Sequence, residues 1–184
     1  MILTGVGSRR TPTHVLKIME VIGLELAAVG TLRSGGAAGA DSAFERGYLS
    51  GGGAPEIYLP YPNYNRHSSE LHHQHPRACE IASIIHPVWN RLAPSVQKLH
   101  ARNIHQVLGV DLRRPTDVVV CWTPDGAETV QECTTHTGGT ATAISLAHLL
   151  NIPVVNLIKH EHIADLSDVI STINAVQNCS PWKL

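Results

Sequence analysis

The chain has 184 residues, of which 43% are apolar and 16% charged, a composition typical of a globular protein and not of a disordered one. This length suits one domain with a substantial core and leaves little room for a second. The formal net charge is −1, so the chain lacks the basic surplus usual in proteins that hold long duplex DNA through many phosphates.

The cysteines and the apolar runs bear on the compartment. Cys79, Cys121, Cys133 and Cys179 lie far apart and form no CxxC pair, so we expect neither a zinc ribbon nor a disulfide framework. The opening residues MILTGVGSRR have no charged region followed by a long apolar run, and no stretch approaches the ~20 apolar residues of a membrane span. We therefore expect a cytoplasmic protein without a membrane partner.

Short apolar runs that stop at glycine, proline or polar residues predict β-strands. The clearest is TDVVVCW, whose continuous apolar character indicates a strand buried on both faces. Aromatic residues make up 4% of the chain, so Val, Ile, Leu and Ala must build the core. The predicted strands are residues 2–5, 31–34, 56–59, 116–122 and 153–157.

Segments with apolar residues at helical spacing separate these strands. The predicted helices are residues 11–29, 40–49, 95–108, 139–150 and 163–176. Strands that alternate with helices predict an α/β fold. We expect a single Rossmann-like domain over residues 1–184, with a mostly parallel sheet and helices on both of its faces.

Residues 60–90 are rich in histidine, proline and asparagine and interrupt this alternation. A segment of this length inside a compact domain is typical of a lid or binding loop, although residues 76–84 suggest some helix. His67 to His75 includes four histidines, but their spacing matches no zinc motif. We predict a lid with one histidine on the ligand, and no metal and no bound cofactor.

Three glycine-rich loops follow predicted strands, and each carries chemistry suited to a phosphate. Glycine lets backbone N–H groups approach an anion, and a helix N-terminus adds a favourable dipole. Because ligands of parallel sheets bind beyond the carboxyl ends of the strands, we expect these loops to share one site. None fits the GxxxxGK[ST] pattern, which disfavours triphosphate hydrolysis. The candidate ligand-binding residues are Gly7, Ser8 and Arg9; Ser34, Gly35, Gly36 and Gly39; and Gly138, Gly139, Thr140 and Thr142.

Three carboxylates are candidates for sugar binding or catalysis. Asp41 stands at a predicted helix start, where it either caps the helix or binds a ribose or base. Glu45 follows one turn later and is either exposed surface or a second acid at the site. Glu128 lies in the polar loop after TDVVVCW.

The remaining candidates are a cation with its neighbour and an aromatic residue. Arg102 could hold an anion bidentately or form a surface salt bridge, and Asn103 follows it in the same predicted helix. Trp122 ends the TDVVVCW strand, where it could stack a base or close the edge of the core.

With these residues in place, the chain resembles the SLOG superfamily of Rossmann-like nucleotide-binding proteins over about residues 1–157. The matching stretches, in the order of the family, are GVGSR at 5–9, SGGAAGAD at 34–41, Arg102 with Asn103, and GGTATA at 138–143. The resemblance implies a nucleotide or nucleotide-like phosphate held at the glycine loops, and commonly a homo-oligomer.

The resemblance leaves three functions open. The first is a nucleotide-binding module for sensing or sequestering, in which no bond is broken. The second is a nucleoside-phosphate N-glycosidase, although Ser145 takes the place of the glutamate that the phosphoribohydrolase branch uses. Asp41, Glu45 or Glu128 would then have to supply the acid. The third is single-stranded DNA binding of the kind found in the DprA-like branch.

Overall fold

The sheet of this computed structural model, which describes residues 1–178, has five strands in the order β3-β2-β1-β4-β5. Every neighbouring pair is parallel. The strand order reverses between β1 and β4, the point where parallel α/β sheets hold their ligands. The strands are β1 Ile2–Gly7, β2 Thr31–Ser34, β3 Glu56–Ile57, β4 Val118–Trp122 and β5 Val154–Asn156.

Helices cover both faces of the sheet. Alternate β4 residues explain the two layers, because Val118 and Val120 belong to one core cluster and Val119 and Cys121 to the other. The first cluster contains α1, α2 and α6, and the second contains α3, α4 and α5. The expected Rossmann-like α/β fold is confirmed. The helices are α1 Thr13–Val29, α2 Ala40–Ser50, α3 Pro76–Ile85, α4 Pro94–Leu108, α5 Ala141–Leu149 and α6 Leu166–Asn178.

Two strands differ in length from the prediction. β1 continues past Gly5 to Gly7, which pairs with Trp122 of β4. β3 ends at Ile57, because the amide of Leu59 donates to the carbonyl of Leu71 at 2.8 Å and no longer to β2. The chain therefore leaves the sheet two residues earlier than its apolar pattern indicates.

The His- and Pro-rich segment is more ordered than its sequence indicates. It contains α3, with short 3-10 turns at Tyr64–Arg66 and Trp89–Arg91. α3 begins where the His75 ring accepts a hydrogen bond from the amide of Arg77 at 3.2 Å, and Pro76 suits the first helical position. The helix predicted near 76–84 is confirmed.

Helix starts shift by a few residues elsewhere. α6 begins at Leu166 and not at 163, because Asp165 accepts a hydrogen bond from the amide of Asp168 at 3.0 Å and caps the helix there. No helix among the described residues is long and apolar enough to cross a membrane. Cys79, Cys121 and Cys133 are free thiols, and Cys179 lies outside the described residues.

Candidate functional site

A cleft of about 520 Å³ opens at the carboxyl ends of β1 and β4. All three glycine loops contribute to its walls, together with α4 and the His- and Pro-rich segment. Nine candidates from the sequence line it: Gly7, Ser8, Arg9, Asp41, Arg102, Asn103, Gly138, Gly139 and Thr140. The lining residues that sequence reasoning did not select include Arg10, Tyr64, Leu99, His100, Gln106 and residues 135–137.

The first two glycine loops pack directly against each other. A Cβ on Gly39, whose φ is +86°, would stand 2.7 Å from the carbonyl oxygen of Ser8. That same carbonyl accepts a hydrogen bond from the amide of Ala40 at 3.4 Å, and the Ser8 amide donates to the Trp122 carbonyl at 3.0 Å. Gly39 therefore supports the loop that presents Ser8 and lies behind the cleft wall.

A buried ion pair forms the floor of the cleft. Nη1 of Arg102 lies 3.2 Å from Oδ2 of Asp41, and both side chains are less than one-tenth exposed. Asp41 also accepts a hydrogen bond from the amide of Ala37 at 3.3 Å. Burial raises the pKa of Asp41, although the positive charge of Arg102 acts in the opposite direction. The main role of Asp41 is therefore to hold Arg102 in place, and not to cap α2.

Gly35 makes room for the guanidinium of Arg102. A Cβ at this position would stand 1.2 Å from Nη1 of Arg102, so a larger residue would displace the guanidinium. Gln106 lies one turn further along α4. With its amide oriented to satisfy its neighbours, its oxygen accepts from Arg102 Nη1 at 2.9 Å and its nitrogen donates to Asn103 Oδ1 at 2.8 Å. Among the described residues, buried Nε of Arg102 has no hydrogen-bond partner.

The third glycine loop is open to the cleft. Asn103 holds it to α4 by donating from Nδ2 to the carbonyl of Gly139 at 2.7 Å. Gly138 and Gly139 are exposed, and a Cβ on either would meet no atom within 4 Å. An anion could therefore approach this turn closely.

Asp125 holds the segment that precedes this open turn. Its Oδ2 accepts hydrogen bonds from the amide of Thr134 at 3.3 Å, from the hydroxyl of Thr134 at 2.6 Å, and from the hydroxyl of Thr137. Burial would raise the pKa of Asp125, but these threonine hydrogen bonds outweigh it and lower the pKa well below its usual range. The carboxylate is consequently ionised at neutral pH.

His100 brings Thr142 into contact with the site. Nδ1 of His100 lies 2.6 Å from the hydroxyl of Thr142, which is buried behind it. Burial, with smaller contributions from His86 and Arg102, lowers the pKa of His100 to about 4. The imidazole is therefore neutral at pH 7 and presents a hydrogen-bonding group without charge.

The His- and Pro-rich segment reaches the cleft through Tyr64. This tyrosine is buried, and its hydroxyl accepts a hydrogen bond from Nη2 of Arg9 at 3.0 Å. Its neighbour Asn65 donates to the carbonyl of Gly36 at 2.9 Å. Ser34 does not line the cleft, because its hydroxyl donates to the carbonyl of Gly5 at 2.6 Å inside the sheet.

The structure does not bring the three candidate acids together. Glu45 pairs with Nε2 of His67 at 2.7 Å, so the histidine segment contacts α2 at this point. Glu128 accepts hydrogen bonds from the amide of Asn156 and from His160, each at 2.8 Å. Among the described residues that line the cleft, Asp41 is the one carboxylate.

Trp122 belongs to the core between the sheet and helices α1 and α2. It is 9% exposed and is not among the lining residues of the cleft. Of the two roles expected for Trp122, stacking a base or closing the edge of the core, its position matches the second. Within residues 1–178, no group of three or more His, Cys, Asp or Glu side chains has a geometry that could hold a metal ion.

These observations define a class of protein: a Rossmann-like α/β domain whose cleft lies at the switch point of a fully parallel sheet. Among solved structures, the chain is similar to DNA processing protein A from Helicobacter pylori, a protein whose mode of binding single-stranded DNA that structure describes. The TM-score is 0.53 at 15% identity, over 97% of this chain and 80% of that one, which establishes a shared fold. No protein-family model matches the chain, and no curated protein matches its sequence with significance.

Proposed function

We propose that the cleft binds a nucleotide through its phosphate and that the protein acts as a sensing or sequestering module. One observation carries this proposal: the open turn at Gly138 and Gly139 lies in the same cleft as Arg9, Arg10 and Arg102. The resemblance to the SLOG superfamily over the glycine loops supports the same ligand class. Self-association, which that resemblance also implies, stays a prediction.

The charge balance of the cleft favours an anionic ligand. Asp41 is its one described carboxylate, and Arg102 already neutralises it at 3.2 Å. Arg9 and Arg10 are exposed at the rim, so their positive charges are available to a phosphate. Guanidinium groups and open glycine N–H groups are the donors that proteins commonly use for this anion.

The other wall of the cleft suits a sugar and a base. Leu99 offers partly buried apolar surface, and Tyr64 adds an aromatic ring. His100 contributes an uncharged ring, and Gln106 holds Arg102 and Asn103 in this wall. A volume of about 520 Å³ lies within the usual range for small-molecule sites, roughly 300–1,000 Å³.

Single-stranded DNA is a second candidate ligand, and the structural similarity to DNA processing protein A favours it. A nucleotide held in the cleft would then be one unit of a strand. Such binding should weaken steeply as salt rises, because each arginine that contacts a phosphate releases counterions. The slope follows the number of phosphates contacted, so the three arginines that line the cleft, Arg9, Arg10 and Arg102, set its size.

A thermal-shift screen tests the proposal. Nucleoside 5′-monophosphates at about one hundred times their Kd should raise the Tm by about 5–10 °C, whereas the matched nucleosides should not. Arg10→Ala should reduce this shift, and Arg46→Ala, which removes one charge from the exposed pair between α2 and Glu20 of α1, should not. Absence of a shift with every nucleotide and oligonucleotide at millimolar concentration would contradict the proposal.

The same samples test the N-glycosidase alternative. After incubation, chromatography should recover the stabilising nucleotide intact if the protein is a binding module. Free base and sugar phosphate would instead identify an enzyme, and loss of that release in Asp41→Asn with unchanged nucleotide affinity would assign the acid. Glu45→Gln and Glu128→Gln provide matched controls, because neither side chain lines the cleft.

A further inference from the structure

A second pocket, of about 450 Å³, adjoins the cleft, and the nucleotide site described above does not use it. It lies between the end of α3 and the 3-10 turn at Trp89–Arg91. Its polar and aromatic lining residues are Ser83, His86, Trp89, Asn90 and Arg91.

The two pockets share a wall made of two histidines. His86 lines the second pocket, and His100 lines the cleft. Their ring centroids are 4.4 Å apart in an edge-to-face arrangement. Because these two rings are in contact, the pockets adjoin, and neighbouring units of one strand could occupy both.

The second pocket has the side chains that bind single-stranded nucleic acid. Trp89 is half-buried, which leaves part of its indole free to stack a base. Arg91 is exposed beside it, and none of the described lining residues is acidic. Arg91 gives this pocket a positive charge, as Arg9 and Arg10 do for the cleft, on a chain whose net charge is −1.

The pocket is built before any ligand arrives. The carbonyl of Trp89 accepts hydrogen bonds from the amide of Leu92 at 3.0 Å and from Nε2 of Gln97 at 3.1 Å. The amide of Trp89 donates to the carbonyl of His86 at 3.3 Å, and the indole packs against the core cluster of α3, α4 and α5. A stacking surface held in this way loses little entropy when a base binds.

We propose that the pocket at Trp89 is a second subsite, which stacks the base next to the nucleotide whose phosphate occupies the cleft. The ligand that fills both subsites is then a single-stranded oligonucleotide, whereas a free mononucleotide fills the cleft alone. This inference rests on the proposed function, because the cleft must hold a nucleotide phosphate for the second base to reach Trp89.

Fluorescence anisotropy and calorimetry on the full chain test this inference. The probes are thymidine 5′-monophosphate and a 5′-phosphorylated thymidine tetranucleotide, with a uridine tetranucleotide to compare DNA with RNA. Trp89→Ala should weaken tetranucleotide binding about tenfold, as expected for the loss of one stacked base, and leave mononucleotide affinity unchanged. Trp89→Phe should stay within about threefold of the natural protein.

Two further variants separate stacking from nonspecific effects. Arg91→Ala should weaken tetranucleotide binding and lower its salt slope by about one ion, whereas the charge-matched Arg46→Ala should not. Ile84→Ala, which alters an exposed side chain of α3 outside the pocket, should leave both affinities unchanged.

The outcomes distinguish the two proposals. If the mononucleotide binds but the tetranucleotide binds no tighter, or if Trp89→Ala weakens both ligands equally, the second subsite is wrong and the cleft proposal stands. If the natural protein binds neither ligand, the cleft proposal fails and the second subsite fails with it.

Discussion

Two buried arginines in different regions of the molecule have different sets of partners. Arg33 in β2 donates from Nε to Glu56 at 2.7 Å and from Nη1 to the carbonyl of Arg114 at 2.6 Å. Arg102 in α4 makes a longer contact, 3.2 Å from Nη1 to Asp41. Its Nε has no partner among the described residues, and it lines a cleft.

We attribute this difference to two roles, a structural one for Arg33 and the ligand-binding one that we propose for Arg102. The guanidinium of Arg33 is used to join β2 to β3 and to the loop before β4, away from the cleft. The carboxylate of Asp41 holds Arg102, and Gly35 leaves space for its guanidinium. Not all N–H groups of Arg102 have a partner among the described residues. Because buried donors are nearly always satisfied, an unsatisfied one beside a cleft points to a ligand.

Loss of the structural arginine should have a large effect on stability and none on the cleft. Arg33→Met removes the hydrogen bonds to Glu56 and to the carbonyl of Arg114, although Glu56 keeps the Tyr58 hydroxyl as a donor at 2.6 Å. We expect it to lower the free energy of unfolding by about 3 kcal/mol. Urea denaturation measures this loss. Nucleotide affinity of the folded fraction should not change, and a selective loss of affinity would abolish the distinction between the two arginines.

At the cleft, removing Arg102 alone and removing both Arg102 and Asp41 should have different effects on stability. Arg102→Met leaves the buried Asp41 without its ion-pair partner and should cost about 3 kcal/mol. Adding Asp41→Leu removes that unpaired charge and should restore part of the stability, but it should not restore ligand binding. A double variant that is less stable than Arg102→Met would show that the pair acts through more than its charges.

The pH dependence of stability should report on His100, whose pKa burial lowers to about 4. Between that value and the ordinary pKa of about 6.5, the unfolded chain binds a proton that the folded protein does not, so stability falls as the pH drops from about 6.5 toward 4. The loss attributable to this group is at most about 3 kcal/mol.

His100→Asn tests this prediction, because its amide nitrogen can replace Nδ1 toward Thr142. Its free energy of unfolding, measured in urea at pH 7 and at pH 4.5, should depend less on pH than that of the natural protein. Equal slopes in the two proteins would contradict this assignment.

Periodicity in the sequence was sufficient to predict the fold. Continuous apolar runs identified the buried parallel strands, and their alternation with helices predicted layers on both faces. The end of β3 could not be predicted, because it depends on the long-range hydrogen bond between Leu59 and Leu71. The ordered structure of residues 60–90 could not be predicted from the sequence either, because contacts with distant elements fix His75 and Tyr64.

The glycine loops and Arg102 could be selected from local chemistry, but their partners could not. The contact between Asp41 and Arg102 spans 61 positions, and the position of Tyr64 over Arg9 spans 55. One missed signal was local: Leu99, His100, Asn103 and Gln106 recur at helical spacing and line the same cleft. Treating these four residues as one face of α4 would have added His100 and Gln106 to the candidate site residues.

The most direct test of the central claim is the nucleotide affinity of Gly139→Ala, measured by calorimetry beside its Tm. The added methyl group meets no atom within 4 Å, so the fold tolerates it, but it occupies space where we place the phosphate. We predict an unchanged Tm without ligand and an affinity at least about tenfold weaker, equivalent to about 1.4 kcal/mol. An unchanged affinity with an unchanged Tm would show that the phosphate does not bind at this turn.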